Sequence, residues 1–170
     1  MRPPTTVLVL AASAALLGAC NKPSSSAPSA AAPEQAAAPA ASTEPTPDQA
    51  KAILATLPAA YQGADIENGK HKFVQCAACH TLTQGGPNMI GPNLYGVFGR
   101  KAGTATGYDY SDGVKAAGFT WDADHINTWI TDPRTMIANT KMTFVGLKDA
   151  KDRTDVIAYL KVETTPPPKG

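Results

Sequence analysis

The sequence predicts an all-α fold, with three main helices and long glycine-rich loops between them. Three observations lead there. Three separated segments carry apolar residues at helical spacing. The stretch between Gly85 and Gly118 holds nine of the fourteen glycines and shows no strand alternation. Aromatic residues make up only 6% of the chain. A structureless stretch of that length is unusual in a compact domain, and a core this poor in large side chains gains from a bulky group around which the loops can close.

Read in order, the chain opens with an export-type segment. Arg2 precedes an apolar run from Val7 to Leu17, too short to span a bilayer comfortably. The run ends in Leu17-Gly18-Ala19-Cys20, which resembles a bacterial lipobox, with Cys20 as the lipid-modified first residue of the mature chain; an ordinary signal peptide, or an uncleaved anchor, with an incidental cysteine is the other reading. The signal implies the periplasmic side of a bacterial membrane. From 20 to 62 the chain is rich in Ala, Pro and Ser, and 21–47 contain no large apolar residue. Such a segment cannot bury apolar surface and is expected to be a disordered tether. Fully extended, 21–47 would reach about 80 Å at ~3.1 Å per residue. A short helix over 48–57 is possible there, with Ile53, Leu54 and Leu57 on one face. The globular domain is expected over 63–164 and a disordered tail over 165–170.

Within that domain the first helix is expected over 65–75, with Ile66, Gly69, Phe73 and Val74 on one face. The second, over 122–131, places Ile126, Trp129 and Ile130 together, has acids in its first turn and meets Pro133 just past its end. The third, over 152–161, has Val156, Ile157, Tyr159 and Leu160, with Asp152 and Asp155 early and Lys161 late, as the helix dipole favours.

Net charge is +1, so nothing points to nucleic acid as a partner. Three cysteines fit a disulfide framework badly. Two of them form Cys76-Ala77-Ala78-Cys79-His80, the C-X-X-C-H pattern of covalent haem attachment. Residues three apart near a helix end lie on one side, so both thiols can add to the haem vinyl groups while His80 meets the iron from one face. A thioredoxin-like pair would want a βαβ setting. A zinc site would want two further ligands close by, and His71 and His125 stand alone. One haem c is therefore expected. A second axial ligand is wanted for electron transfer without substrate chemistry, and a methionine thioether favours Fe(II) and raises the potential. Met89, Met136 and Met142 are the candidates; the pattern alone prefers Met142 only mildly over Met136, and any lone methionine also serves as core filler.

Residues 64–163 resemble class I cytochrome c of the mitochondrial and bacterial c2 type. The resemblance is carried by Gly69-Lys70-His71-Lys72-Phe73, the haem motif, Gly91-Pro92-Asn93-Leu94, Phe98-Gly99-Arg100-Lys101, Gly107-Tyr108-Asp109-Tyr110-Ser111, Thr120-Trp121, Thr140-Lys141-Met142 and Asp155-Val156-Ile157-Ala158-Tyr159-Leu160-Lys161. It implies the cytochrome c fold and His80 and Met142 as axial ligands, with Met136 at a position usually aromatic. It implies that the Pro92 carbonyl holds the His80 ring, that Tyr110, Trp121 and Arg100 attend the haem propionates, and that Asn93 and Thr140 belong to the same polar network. Gly69 and Phe73 should meet Tyr159 and Leu160 where the first and last helices cross. Three departures stand out. Ile137-Ala138-Asn139-Thr140 replaces the usual Ile-Pro-Gly-Thr, so the loop is either looser or uses Asn139 in the left-handed conformation. Trp129 replaces a tyrosine, and Val114 replaces a polar residue.

The resemblance further implies a one-electron carrier, not an enzyme, working as a monomer between a cytochrome bc1-type complex and a terminal oxidase or photosynthetic reaction centre; a dedicated electron-entry module of a periplasmic dehydrogenase or reductase is the alternative. Lys72, Lys101, Lys141, Lys148 and Arg134 are the expected docking cations, while Lys115, Lys151 and Lys161 read as solvated surface. From Ala64 onward twelve Lys and Arg face eleven Asp and Glu, so docking should depend weakly on salt, the anchor supplying effective concentration.

Overall fold

The computed structural model describes residues 45–166. The lipobox cysteine Cys20, the signal over 1–19, most of the tether and most of the 165–170 tail lie outside the described residues. Seven helices follow in order: α1 (Pro47–Leu54), α2 (Ala59–Gln62), α3 (Ile66–Ala77), α4 (Asp112–Lys115), α5 (Ala123–Thr131), α6 (Pro133–Met136) and α7 (Ala150–Thr164). Among the described residues the extended structure is one isolated antiparallel bridge, Lys101 to Thr120. The all-α expectation holds, and α3, α5 and α7 are the three main helices.

Each main helix starts on an aspartate side chain that accepts from the backbone N–H three residues on: Asp65 from Asn68, Asp122 from His125, and Asp149 from Asp152. Such a carboxylate satisfies an orphan donor and also faces the positive end of the helix dipole. α7 runs longer than its apolar pattern predicts, from Ala150 to Thr164, because Val162 and Thr164 are buried at its end.

α3 and α7 cross in close contact. Gly69 makes the crossing possible: a Cβ there would collide with the backbone carbonyl of Asp155 and lie 2.8 Å from Tyr159 Cβ. Phe73 packs on Tyr159 with ring centroids 5.5 Å apart. A buried carboxylate fastens the joint. Asp155 accepts from the Asp65 backbone N–H at 2.9 Å, from Asn68 Nδ2 at 2.7 Å and from Lys151 Nζ at 2.6 Å.

The chain is folded well before Gly63, which corrects the expected tether boundary. α1 covers most of the tentative 48–57 helix and opens with a capping box between Thr46 and Gln49. Ile53, Leu57 and Tyr61 are buried, α1 and α2 both pack on α7, and the Tyr61 hydroxyl donates to Asp124 Oδ1 at 2.9 Å. Burial, and the hydrogen bond to Asp124, push the Tyr61 phenol up to about 12. The apolar surface that orders this segment belongs to residues about a hundred positions away, so local periodicity does not reveal it.

Candidate functional site

Cys76 lies in the last turn of α3, and the chain leaves the helix in a tight turn: the N–H groups of Cys79 and His80 both donate to the Cys76 carbonyl at 3.0 Å. This turn brings Cys76, Cys79 and His80 to one wall of a cavity of about 330 Å³. Neither cysteine is in a disulfide. Burial, with the neighbouring Cys79, raises the Cys76 thiol to about 11, which suits it poorly to thiolate redox chemistry. Among the described residues no group of three His, Cys, Asp or Glu could hold a metal ion.

The His80 ring is fixed from behind. Its Nδ1 lies 2.7 Å from the Pro92 carbonyl. A carbonyl only accepts, so Nδ1 carries the proton and Nε2 keeps its lone pair. Burial holds the imidazole below its usual pKa, against the opposing pull of that carbonyl; the neutral ring is the ligating form. Gly91 lies flat under the ring, where any Cβ would overlap the imidazole. The Gly91 N–H in turn donates to the Cys79 carbonyl at 2.9 Å.

The other wall is the loop that carries Met142. Met142 lines the cavity; Met89 and Met136 do not. Asn139 adopts φ +59°, so the asparagine takes the conformation that glycine would usually supply. The Thr140 hydroxyl accepts from the Met142 N–H at 3.2 Å. Gly113 leaves room for the loop to approach, since a Cβ there would sit 2.8 Å from Ile137 Cγ2.

Tyr110, Trp121, Arg100 and Thr140 all line the cavity, as do Val114 and Trp129. Arg100 donates to the carbonyls of Asn93 and Tyr95 at 3.1 and 3.2 Å, and burial lowers its pKa while Tyr110 supports the charge. Burial raises the Tyr110 phenol, with Arg100 opposing. Asn93 does not line the cavity but joins the network through its backbone, its carbonyl accepting from Arg100; its Nδ2 donates to Thr81 Oγ1 and the Thr83 carbonyl, so it also braces the loop that follows the haem motif. Sequence reasoning missed Ser111. Its hydroxyl lines the cavity and is a buried side-chain polar atom without a hydrogen-bond partner. A serine beside Tyr110 gives no signal of this; only the enclosure does.

These features fit a haem. The cavity walls are mostly apolar, with Phe73, Leu94, Ile126, Val156 and Leu160 among them. Two thiols, an imidazole and a thioether all line the cavity. So do Arg100 and Tyr110, which interact with each other, Trp121 and the unpartnered Ser111 hydroxyl, a donor set suited to carboxylates.

Lys115 and Lys151 are exposed, as expected, Lys151 with an ion pair to Asp155. Lys161 differs: it is half-buried and lies over the Phe98 ring at 4.8 Å. Lys115 stands 3.5 and 3.6 Å from Asp109 and Asp112.

The family model described as Cytochrome c matches residues 66–162. Cytochrome c of Gibberella zeae is 48% identical over 103 residues, 60% of this chain and 97% of that protein. Cytochrome c2 of Rhodoplanes tepidamans is 48% identical over 96 residues, 56% of this chain and 90% of that protein. Among solved structures, cytochrome cH from Methylobacterium extorquens superposes with a TM-score of 0.54 at 43% identity, covering 58% of this chain and 98% of that one.

Proposed function

The chain belongs to the cytochrome c family, electron carriers built on covalently bound haem c, and from that premise we propose that it is a membrane-tethered one-electron carrier on the periplasmic side of a bacterial membrane. One observation carries the site: Cys76, Cys79 and His80 form one wall of the cavity and Met142 lines it from a separate loop. When bound, the haem iron supplies a one-electron Fe(II)/Fe(III) couple.

The roles of the residues follow. Cys76 and Cys79 would carry the two thioether links. His80 and Met142 would be the axial ligands, the His80 Nε2 lone pair kept available by the Nδ1–H to Pro92 hydrogen bond at 2.7 Å. Arg100, Tyr110, Trp121 and Ser111 would pair the haem carboxylates, with Thr140 holding the Met142 backbone. Apolar walls exclude water and reduce solvent reorganisation when charge changes. With His80 and Met142 both holding the iron, no position would be left for a substrate. The haem-loaded chain should be low-spin and indifferent to CO, and Met142→Ala should bind CO and show a lower potential. A wild-type chain that binds CO as readily as Met142→Ala would overturn the assignment.

The setting rests on the sequence before residue 45 and on the relatives. The Cys20 lipobox supports a lipid anchor, since each buried acyl CH₂ contributes about 0.8 kcal/mol. No helix among the described residues is long and apolar enough to cross a membrane. Donor and acceptor would be a cytochrome bc1-type complex and a terminal oxidase or photosynthetic reaction centre. Membrane fractionation with crosslinking tests this: the wild-type chain should sediment with membranes and crosslink to such complexes, and Cys20→Ser should release it. Exclusive crosslinking to one periplasmic dehydrogenase would favour the electron-entry role instead.

A further inference from the structure

Four of the residues lining the cavity are exposed and so mark its mouth: Gln75, Ile90, Lys141 and Thr143. Ile90 is 77% exposed and follows Met89, itself 47% exposed, so the chain presents two adjacent large apolar residues there. Lys141 is the one charged member of the set, and its charge is matched on the spot. Its Nζ donates to Asp109 Oδ2 at 2.6 Å and to the Asp109 carbonyl at 2.7 Å.

The same matching reaches two of the other four expected docking cations: Lys72 stands 2.8 Å from Asp152 and Lys148 stands 4.0 Å from Asp132, while Lys101 and Arg134 are exposed without an ion pair among the described residues. Exposed pairs of this kind add little to stability. Their consequence is in the field: a lysine with a carboxylate beside it presents a dipole, and beyond about one Debye length a partner sees no net charge. Charge steering needs a net patch, and apolar contact needs an uncharged one.

We propose that the mouth of the cavity is a docking face for a redox protein whose own electron port is ringed by apolar and uncharged side chains, with Ile90 as the contact point and Asp109 as the residue that cancels Lys141. The proposal rests on the carrier reading above and names the surface chemistry of its partner. An acid-ringed partner is the competing occupant, and it would require Lys141 free.

The test uses the full-length, haem-loaded chain, first with two small oxidants of opposite charge, hexacyanoferrate(III) and tris(phenanthroline)cobalt(III), in stopped flow. Between about 0.01 and 0.15 M ionic strength, over which screening shortens from about 30 to about 8 Å, both wild-type rates should change by less than about twofold. Asp109→Asn should raise the low-salt rate with the anion by about fivefold, lower that with the cation, and lose both effects at high salt. It should also raise the midpoint potential, whereas a loosened Met142 loop would lower it. A steep wild-type salt dependence, or an Asp109→Asn chain with the wild-type slopes, would overturn the proposal. Membranes from the host cell, stripped of this protein, supply the second arm. Ile90→Ser should slow oxidation by those membranes several-fold at an unchanged salt slope; wild-type rates for Ile90→Ser would also overturn it. If the membranes accept no electrons even from the wild-type chain, the carrier reading fails while the two small oxidants still decide the charge of the mouth.

Discussion

The wall of the crevice that carries His80 grows directly out of α3, whereas the wall that carries Met142 is loop from Ile137 to Asp149. On the first wall each constraint has a second behind it: the α3–α7 crossing fixes the helix, the turn fixes His80, and Pro92 and Gly91 fix its ring. On the second, the loop is pinned mainly at its margins. Leu147 N–H donates to the Ile130 carbonyl at 2.7 Å, and Arg153 Nη1 donates to the carbonyls of Leu147 and Lys148 at 2.9 and 2.8 Å. Near Met142 there are the bond from its N–H to the Thr140 hydroxyl and the Lys141 ammonium, which reaches the carboxylate and the carbonyl of Asp109. The difference teaches where stability and ligand exchange should separate. Changes on the helical wall should cost the whole fold, and changes on the loop wall should appear at the iron first.

The largest effect is expected at Gly69. Replacing a helical glycine normally gains about 0.5–1 kcal/mol from backbone entropy. Here the added side chain meets the Asp155 backbone of α7, which cannot step aside as a flexible side chain could. Gly69→Val should therefore destabilise the chain by about 3 kcal/mol or more, as overpacked contacts do, read as a lower denaturant midpoint for the haem-loaded protein. A loss below about 1 kcal/mol would show that the crossing is not a fixed joint and would break the contrast between the walls.

Asp155 comes next. It is 1% exposed; burial alone would raise its pKa, but the hydrogen bonds from Lys151, Asn68 and the Asp65 N–H outweigh it and hold the carboxyl below the usual carboxylate range. A folded pKa below the unfolded one means that the unfolded chain binds more protons as acid is added. The contribution is thus complete above about pH 4, the ordinary aspartate value, and is lost as pH falls through the folded pKa. Asp155→Ala strands those donors and should cost about 2–3 kcal/mol near neutral pH. The difference between variant and wild type should shrink below about pH 4, and chemical denaturation at a series of pH values measures it.

How much of this was legible in the sequence depends on whether its cause is local. The three main helices announced themselves through apolar spacing and aspartate caps, and the haem attachment through five adjacent residues. The pairing of Gly69 with the α7 backbone was accessible only through the resemblance, because it joins residues more than eighty positions apart. Ser111 was not legible, since its lack of a partner is a property of the enclosure around it. The α1–α2 segment was underestimated for a similar reason: Leu57 and Tyr61 look like stray apolar residues around a proline until α5 and α7 are placed beneath them. Asp109 and Lys141 lie 32 positions apart, and only the fold sets one against the other.

The smallest effect sharpens the contrast most, because it should separate the two walls within one variant. Asn139 is the sole non-glycine residue with positive φ among the described residues. Asparagine tolerates that region because its short polar side chain bonds locally; alanine does not, and the change should cost the loop about 1 kcal/mol. A loop pinned mainly at its margins should open as a local unit, so the cost should fall where Met142 is presented and not across the α3–α7 crossing. One kcal/mol corresponds to about a fivefold shift in an opening equilibrium. Asn139→Ala should therefore bind added imidazole or cyanide at the iron about fivefold more tightly than wild type, as an exogenous ligand competes with a less favoured Met142. Asn139→Gly, which meets the backbone requirement without a side chain, should return the affinity close to wild type. Spectroscopic ligand titration and a denaturation curve on the same samples check both halves. A fivefold gain in ligand affinity with a denaturation midpoint moved no further than that 1 kcal/mol would place the cost in the Met142 loop. An equal loss of stability with no gain in affinity would place it in the global fold, and the two walls would then be one cooperative unit.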